Sequence, residues 1–507
     1  MKLTLKNIGL IKNSEIKLDG LTVITGHNNS GKTTVGKALY ACIEGASDIE
    51  NRFTMYKVDF LKYLVSKFTR IYQEIIKEIE KLTDVQHNII KTKLFKDYID
   101  KFSTLFTTHS TFEEDCYSLN NFLKNEQLSH SLNDELSSFS FSLYFFQQQL
   151  DNEVLQYLQK IQNIKIDDFV KRNINNSLQK EFSKQIQPVK NKSSDLISEI
   201  IINDNNVDLY KLIISDNELI DEQSNYRFFA YKKGFLIDNP FIIDELKKFT
   251  YNKKEDNDIK LKYKTMFQKG LPVSKEIRNA LIFSDIDLFN HLYLDAIYDK
   301  NYTHNYKLKI ALSSDEFSKN VFEKFLDNYN DNMKNITNLL HNTIPGEVIA
   351  KKHGPGFEYV HKDYNLSLSN LATGTKLFAI MKTLIEKGAI DNETMLILDE
   401  PESHLHPEWQ NIFAELLVLL VKDVNCRILL TTHSPNFLLA IEAFMYKHSI
   451  VDKCNFYKTQ FNNDNETVDY VLTNNTNEIY GDFVKFLSQV KQIRNTYAHY
   501  KEDIDNE

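Results

Sequence analysis

Residues Gly26 to Thr34 read Gly-His-Asn-Asn-Ser-Gly-Lys-Thr-Thr and stand between two segments of opposite character. Before them, Leu21-Thr22-Val23-Ile24-Thr25 is a β-type apolar run; after them, Thr34 to Tyr40 suits a helix. A loop with glycines at its first and sixth positions, followed by Lys-Thr, dictates a strand–turn–helix unit. Gly26 and Gly31 let the backbone curl until successive N–H groups point inward, and the helix that opens there adds the positive end of its dipole. Such a cradle suits phosphate. The candidate phosphate-binding residues are Gly26, Asn28, Asn29, Ser30, Gly31, Lys32, Thr33 and Thr34. Lys32 is placed to reach the β- and γ-phosphates, and the Thr33 hydroxyl to ligate Mg²⁺, so a nucleoside triphosphate with Mg²⁺ is the expected ligand.

A second segment supplies the complementary chemistry. Met395-Leu396-Ile397-Leu398 is a continuous apolar run that ends in Asp399-Glu400, which puts both carboxylates at the C-terminal mouth of a central parallel strand. Asp399 suits the Mg²⁺ shell, and Glu400 suits polarising an attacking water. After a helix expected over Pro407–Val421, a third apolar strand, Cys426 to Leu430, ends in Thr431-Thr432-His433-Ser434-Pro435. That order brings His433 toward the γ-phosphate, where it can orient Glu400. Between these parts, Ser369 to Lys376 is a turn of small residues before an amphipathic helix expected from Leu377, another ready anion site.

At 507 residues and 42% hydrophobic, the chain is long enough for more than one unit and too apolar to be disordered. Its net charge of −9 offers no global basic field, so any nucleic-acid contact must be a local patch. Four scattered cysteines without metal-ligand spacing, a strand-like N-terminus and no 20-residue apolar run point to the cytoplasm and away from a membrane. Lys2 to Leu18 reads as two strands with turns at Gly9 and at Lys12-Asn13-Ser14. Asn51 to Lys190 is rich in helix formers, and Leu61, Leu64, Phe68, Ile71, Ile75, Ile79 and Leu82 trace one helix face. Strands return at Val207–Ile214 and Gly234–Asp238, followed by a helical stretch from Phe241 to Thr343. A hairpin joins Glu347–Ala350 to Phe357–Val360 through Gly354-Pro355-Gly356.

The order of these parts resembles the ATPase heads of the ABC class, and its SMC-like and OLD-like branch in particular. The segments LSNLATGTK, LILDEPESHLHPEWQ and LLTTHSPNFL are similar to those of stand-alone phage-defence ATPases such as the ATPase subunit of Septu and of some retron systems. The resemblance covers Met1–Gly45 and about Gly346–Tyr480. It implies an α/β ABC-type head with a central mixed sheet, interrupted by large helical insertions. Residues 1–50, 195–244 and 344–475 would form the head, 51–194 and 245–343 the insertions, and 476–507 a C-terminal helix. It also implies that the signature turn, with Thr373 and Gly374, binds the γ-phosphate held by a second copy, so that ATP is sandwiched in a homodimer or higher oligomer. Ala372 stands where the family has a serine, which weakens the signature contacts; the first-lobe glutamine that contacts Mg²⁺ has no identifiable counterpart. His404-x-His406 falls in the dimer-facing loop after the acid pair, and Trp409 reads as packing.

A head of this kind does not name its output. The leading expectation is an ATP-hydrolysing sensor in a prokaryotic anti-phage system that controls a separate nuclease or toxin effector. One alternative rests on Arg494 and His499, whose R-x4-H spacing resembles the motif of HEPN ribonucleases and would make the chain its own effector. The competing reading of Phe483, Phe486, Leu487, Val490 and Ile493 is a single amphipathic helix that packs on the head or docks a partner. A second alternative is an SMC-like repair ATPase, which leaves nucleic acid open as a partner.

Overall fold

The computed structural model describes residues 1–27, 30–54, 56–58, 60–61, 116–119, 121, 152, 154–188, 196–204, 207–224, 233–247, 303–313, 332–353, 355–462, 467–473 and 476–504. Two compact units emerge, Met1–Ser47 with Lys171–Glu507, and Asp48–Val170. The described part of the second unit is mostly helical, and the Phe53 and Tyr56 rings lie 5.4 and 5.1 Å from that of Phe169. Of the apolar series from Leu61 to Leu82, all but Leu61 fall outside the described residues.

The first unit is built on a mixed sheet of 11 strands among the described residues. In chain order they are β1 (Lys2–Ile8), β2 (Ile11–Lys17), β3 (Leu21–Thr25), β4 (Ser198–Asp204), β5 (Val207–Ser215), β6 (Glu218–Ser224) and β7 (Lys233–Ile237). The others are β11 (Thr394–Asp399), β12 (Arg427–Thr432), β13 (Cys454–Phe461) and β14 (Val468–Thr473). The spatial order is β6-β5-β4-β1-β2-β14-β13-β3-β12-β11-β7. β13, β3, β12, β11 and β7 are mutually parallel, while β4, β5, β6 and the β1–β2 hairpin form an antiparallel wing. β8 (Glu347–Ala350), β9 (Phe357–Val360) and β10 (Asn365–Ser367) make a separate three-stranded antiparallel sheet.

The parallel strands read as continuous apolar runs because both of their faces are covered. Leu396 and Leu398 of β11, with Ile428 and Leu430 of β12, belong to one core. They share it with α6 (Thr373–Glu386), α7 (Pro407–Leu419) and α8 (Pro435–Lys447). The intervening Ile397 and Leu429 are equally buried but face away from that cluster. Below Ile397 runs α1 (Lys32–Ala46); a methyl group at Gly36 would stand 3.0 Å from its Cγ2. Each such fully buried aliphatic side chain contributes roughly 2 kcal/mol. Four shorter or peripheral helices complete the series: α2 (Ile166–Glu181), α3 (Ile242–Glu245), α4 (His304–Ser313) and α5 (Asn332–Thr343). α9 (Thr476–Ile504) is tied down at its start by Thr476 Oγ1 and Tyr480 OH donating to Glu442.

Three local expectations need correction. Lys12-Asn13-Ser14 lies inside β2 and makes no turn: Ser14 points into the core and accepts the Tyr470 N–H, while Asn13 points out. α6 begins at Thr373, four residues before Leu377, because Ala372 adopts the extended N-cap conformation. α7 ends at Leu419 and continues as a π turn over Leu420–Val424 before Asn425 reverses the chain with φ 57°.

One buried charge cluster ties α1, α2, α4 and the end of β7 together. His304 donates from Nδ1 to Glu181 Oε2 at 2.7 Å, and its Nε2 lies 3.2 Å from Asp238 Oδ2. Lys307 pairs with buried Glu44 at 2.6 Å. Burial alone would push the His304 pKa down, but the hydrogen bonds and charges of Asp238 and Glu181 outweigh it and raise the pKa to about 9. A group whose pKa rises on folding stabilises fully below its unfolded value, near 6.5, and loses that contribution as pH climbs through about 9. Stability is therefore expected to fall between those two values, by at most about 3 kcal/mol. In urea titrations across that range, His304→Phe should flatten the decline.

Candidate functional site

The parallel register sets the site. β3, β12 and β11 pair Thr25 with Thr432 and Thr431 with Asp399, so the segments that follow β3 and β11 open at the same edge of the sheet. Ligands of open α/β sheets bind at that edge. The loop after β3 needs its glycines. Gly31 has φ +75°, and a methyl group at Gly26 would meet Thr459 Oγ1 on neighbouring β13 at 1.8 Å. Buried Ser30 donates to the His27 carbonyl at 2.7 Å, and its own carbonyl accepts the Tyr470 hydroxyl at 2.8 Å. Tyr470, from β14, is pushed well above the ordinary phenol range by burial first and the Asp399 charge second; it stays a donor. Asn28 and Asn29 fall outside the described residues.

Lys32 opens α1 and is only 5% exposed. Its ammonium donates back to the carbonyls of Gly26 and His27, at 3.2 and 2.8 Å, and stands 3.4 Å from Glu400 Oε1. Thr33 Oγ1 donates to Asp399 Oδ2 at 2.5 Å, and Thr431 Oγ1 donates to the other carboxylate oxygen. The Thr34 N–H bonds back to the Gly31 carbonyl at 3.0 Å, and its side chain lies under Gly9.

Glu400 adopts left-handed backbone, φ 48° and ψ 48°, and its N–H donates to both the carbonyl and the hydroxyl of Thr431 at 3.1 Å. A non-glycine residue held there at a strand end is strained, a trait of functional turns. The twist aims Glu400 between two partners: Lys32 on one side and His433 Nδ1, 3.1 Å away, on the other. His433 follows β12 directly. Ser434 then caps α8 by accepting the Phe437 N–H at 3.2 Å, and Pro435 stands at the first helical position. Lys32, Thr33, Asp399, Glu400 and His433, drawn from three strand ends, thus converge on one site.

Thr373 and Gly374 lie elsewhere, in the first turn of α6, which has no side-chain cap. A methyl group at Gly374 would stand 3.1 Å from the Trp409 ring and 3.2 Å from Leu405. The glycine therefore lets the turn pack against the segment after the acid pair. Trp409 is a packing residue: its ring meets that of Phe378 edge-on at 5.3 Å. Lys376, in the same turn, is buried and bonds Asp244 Oδ2 of α3 at 2.6 Å. The His404 ring lies edge-on to Phe241 at 5.9 Å, and His406 is exposed. Among the described residues no group of three or more His, Cys, Asp or Glu side chains is arranged to hold a metal ion. Thr33 and Asp399 nonetheless supply hard oxygen donors side by side, the chemistry Mg²⁺ takes together with phosphate and water.

Arg494 is exposed on α9, and His499 lies five residues on in the same helix with a side chain outside the described set. Val484, Val490 and Ile493 are also exposed, so these three do not pack on the head.

Sequence reasoning gave Thr431, Glu402, Tyr470, Thr459 and Asp238 no role in the nucleotide site. Thr431 and Glu402 sit within two residues of named motif positions, so polar side chains flanking a motif were a usable signal. Tyr470 and Thr459 reach the loop only through sheet order. Asp238 follows β7, which pairs with β11 in the register Ile237↔Leu398; the strand beside the acid pair therefore ends in Asp238-Asn239 and carries no glutamine.

The sequence profile described as an AAA ATPase domain matches residues 1–438. No curated relative matches. Among solved structures, the chain is similar to an Smc head bound to the C-winged helix domain of ScpA (10% identity, TM-score 0.39, covering 93% of this chain and 96% of that one). It is similar also to an Smc head with an extended coiled coil bound to the C-terminal domain of ScpA, from Pyrococcus furiosus (10% identity, TM-score 0.37, covering 97% and 98%). A third is the SMC head domain from Thermotoga maritima (11% identity, TM-score 0.31, covering 94% and 98%). No helix among the described residues is long and apolar enough to cross a membrane.

Proposed function

Because the chain belongs to the AAA ATPase domain family, we propose that it is a Mg²⁺-dependent, dimeric ATPase that senses and regulates in a prokaryotic anti-phage system, controlling a separate nuclease or toxin effector. The observation that carries the ATPase reading is the convergence of Lys32, Thr33–Asp399 and Glu400–His433 at one sheet edge. When bound, Mg²⁺ would be held by the Thr33 hydroxyl and Asp399 and would neutralise phosphate charge. Lys32 exchanges its loop carbonyls and Glu400 for the β- and γ-phosphates. Glu400, released from that ion pair, accepts a proton from the water it orients, and His433 fixes the carboxylate.

The signature-like turn supports a dimer. The first N–H groups of α6 have no side-chain cap and sit at the positive end of a 14-residue helix, an anion site for the nucleotide of a second copy. The defence role rests on the likeness of the motif segments to those ATPases.

The test is hydrolysis of ATP with Mg²⁺ by the purified chain, with labelled RNA and DNA in the same reaction. ATP turnover without nucleic-acid cleavage is the expected result. RNA cleavage lost in His499→Ala would replace the regulator reading by a self-contained ribonuclease. DNA binding that weakens steeply with salt would favour the repair reading.

A further inference from the structure

Glu402 lies on the 3₁₀ turn Pro401–His404 and is 2% exposed, although His406 on the same segment is open to solvent. Burial raises its pKa above the usual carboxylate range. A buried carboxylate costs several kcal/mol unless donors meet it. The donors that meet it come from one place. Thr432 Oγ1 donates to Oε1 at 2.5 Å, and the backbone N–H of His433 approaches the same oxygen at 3.3 Å. The Thr432 hydroxyl in turn accepts the Ser434 N–H at 3.1 Å. Oε2 is buried and has no hydrogen-bond partner among the described residues. On the other side, Gln410 donates to the carbonyls of Glu402 and Leu405 at 3.4 and 3.1 Å, while its oxygen accepts from Ser434 Oγ at 3.4 Å. Residues 402–405 and 432–434 are stitched together through one carboxylate and one amide.

An apolar side chain would fill this space at lower desolvation cost. It could not accept the N–H of His433, and that bond holds the peptide from which the imidazole projects toward Glu400. We propose that Glu402 is a positioning residue for ATP hydrolysis: it sets His433 against Glu400 and ties that setting to the loop carrying His404 and His406. The proposal rests on Glu400 and His433 being the hydrolytic pair.

The test uses the full chain and the variants Glu402→Ala, Glu402→Gln and Thr432→Val, with ATP affinity measured separately from kcat and KM. A misplaced catalytic group costs about 100-fold, so Glu402→Ala should lower kcat by roughly that factor while KM and ATP affinity move by no more than about threefold. Glutamine keeps the Oε1 acceptor and should restore kcat to within about fivefold of the parent. Thr432→Val preserves volume and removes the donor; its loss of kcat should not add to that of Glu402→Ala in the double variant. Unchanged kcat in Glu402→Ala overturns the proposal, as does a joint fall of kcat and ATP affinity in both Glu402 variants. A parent chain that binds no ATP is a different failure, that of the nucleotide site itself. If Glu402→Ala does not fold, Thr432→Val and Glu402→Gln decide: equal kcat in Thr432→Val and parent overturns the proposal.

Discussion

Lys32→Ala should abolish ATP binding, with affinity falling at least about 100-fold, or roughly 3 kcal/mol. The ammonium is nearly buried and already has three oxygen partners: the Gly26 and His27 carbonyls and Glu400. Its desolvation is therefore met within the folded chain, and the phosphates take over from those partners an ammonium already out of water. Alanine removes that charge and leaves Glu400 facing the triphosphate, so a missing attraction is joined by a repulsion. Isothermal titration with ATP reads the loss directly. Thermal melting of the same variant separates loss of ligand binding from loss of fold. Normal ATP affinity in Lys32→Ala would move the nucleotide away from this loop.

Glu400→Gln should stop turnover while leaving ATP bound, with kcat down at least about 100-fold. The amide keeps the size and the left-handed backbone that Thr431 supports, but it cannot accept a proton. It also gives up the ion pair with Lys32, which frees the ammonium for phosphate. Bound ATP should then persist and hold two chains together, so light-scattering mass should shift to a dimer with ATP and Mg²⁺ and stay monomeric without them. Monomers only, with ATP bound, would sink the sandwich arrangement. Unchanged kcat would remove Glu400 from the chemistry.

Much of this site was legible along the chain. A phosphate loop is a local object: glycines, a lysine and a hydroxyl at fixed spacing, between a strand and a helix, leave the backbone little choice. The acid pair after Leu398 and the histidine after Leu430 were equally readable, because a continuous apolar run marks a strand covered on both faces. The hairpin at Glu347–Val360 followed from its turn residues.

Tertiary structure decided which strand ends are neighbours, and that depends on hydrogen-bonded register between segments hundreds of residues apart. Thr33 and Asp399 are separated by 366 positions, and only the order β3-β12-β11 lets them touch. On the other side of β3, the order β14-β13-β3 places Tyr470 under the loop and Thr459 against Gly26, contacts for which no local pattern exists. Local preference also yielded to packing. Lys12-Asn13-Ser14 looks like a turn, yet pairing with β1 and burial of Ser14 draw it into a strand. α6 likewise starts early, where Ala372 turns extended as its N-cap and Gly374 gives the first turn a close approach to Trp409. Spacing along the chain determined the chemistry carried by the loop, the acid pair and the histidine, because residue type and local order fix what each segment can donate or accept. Their meeting was decided by burial and register, which are properties of the whole sheet.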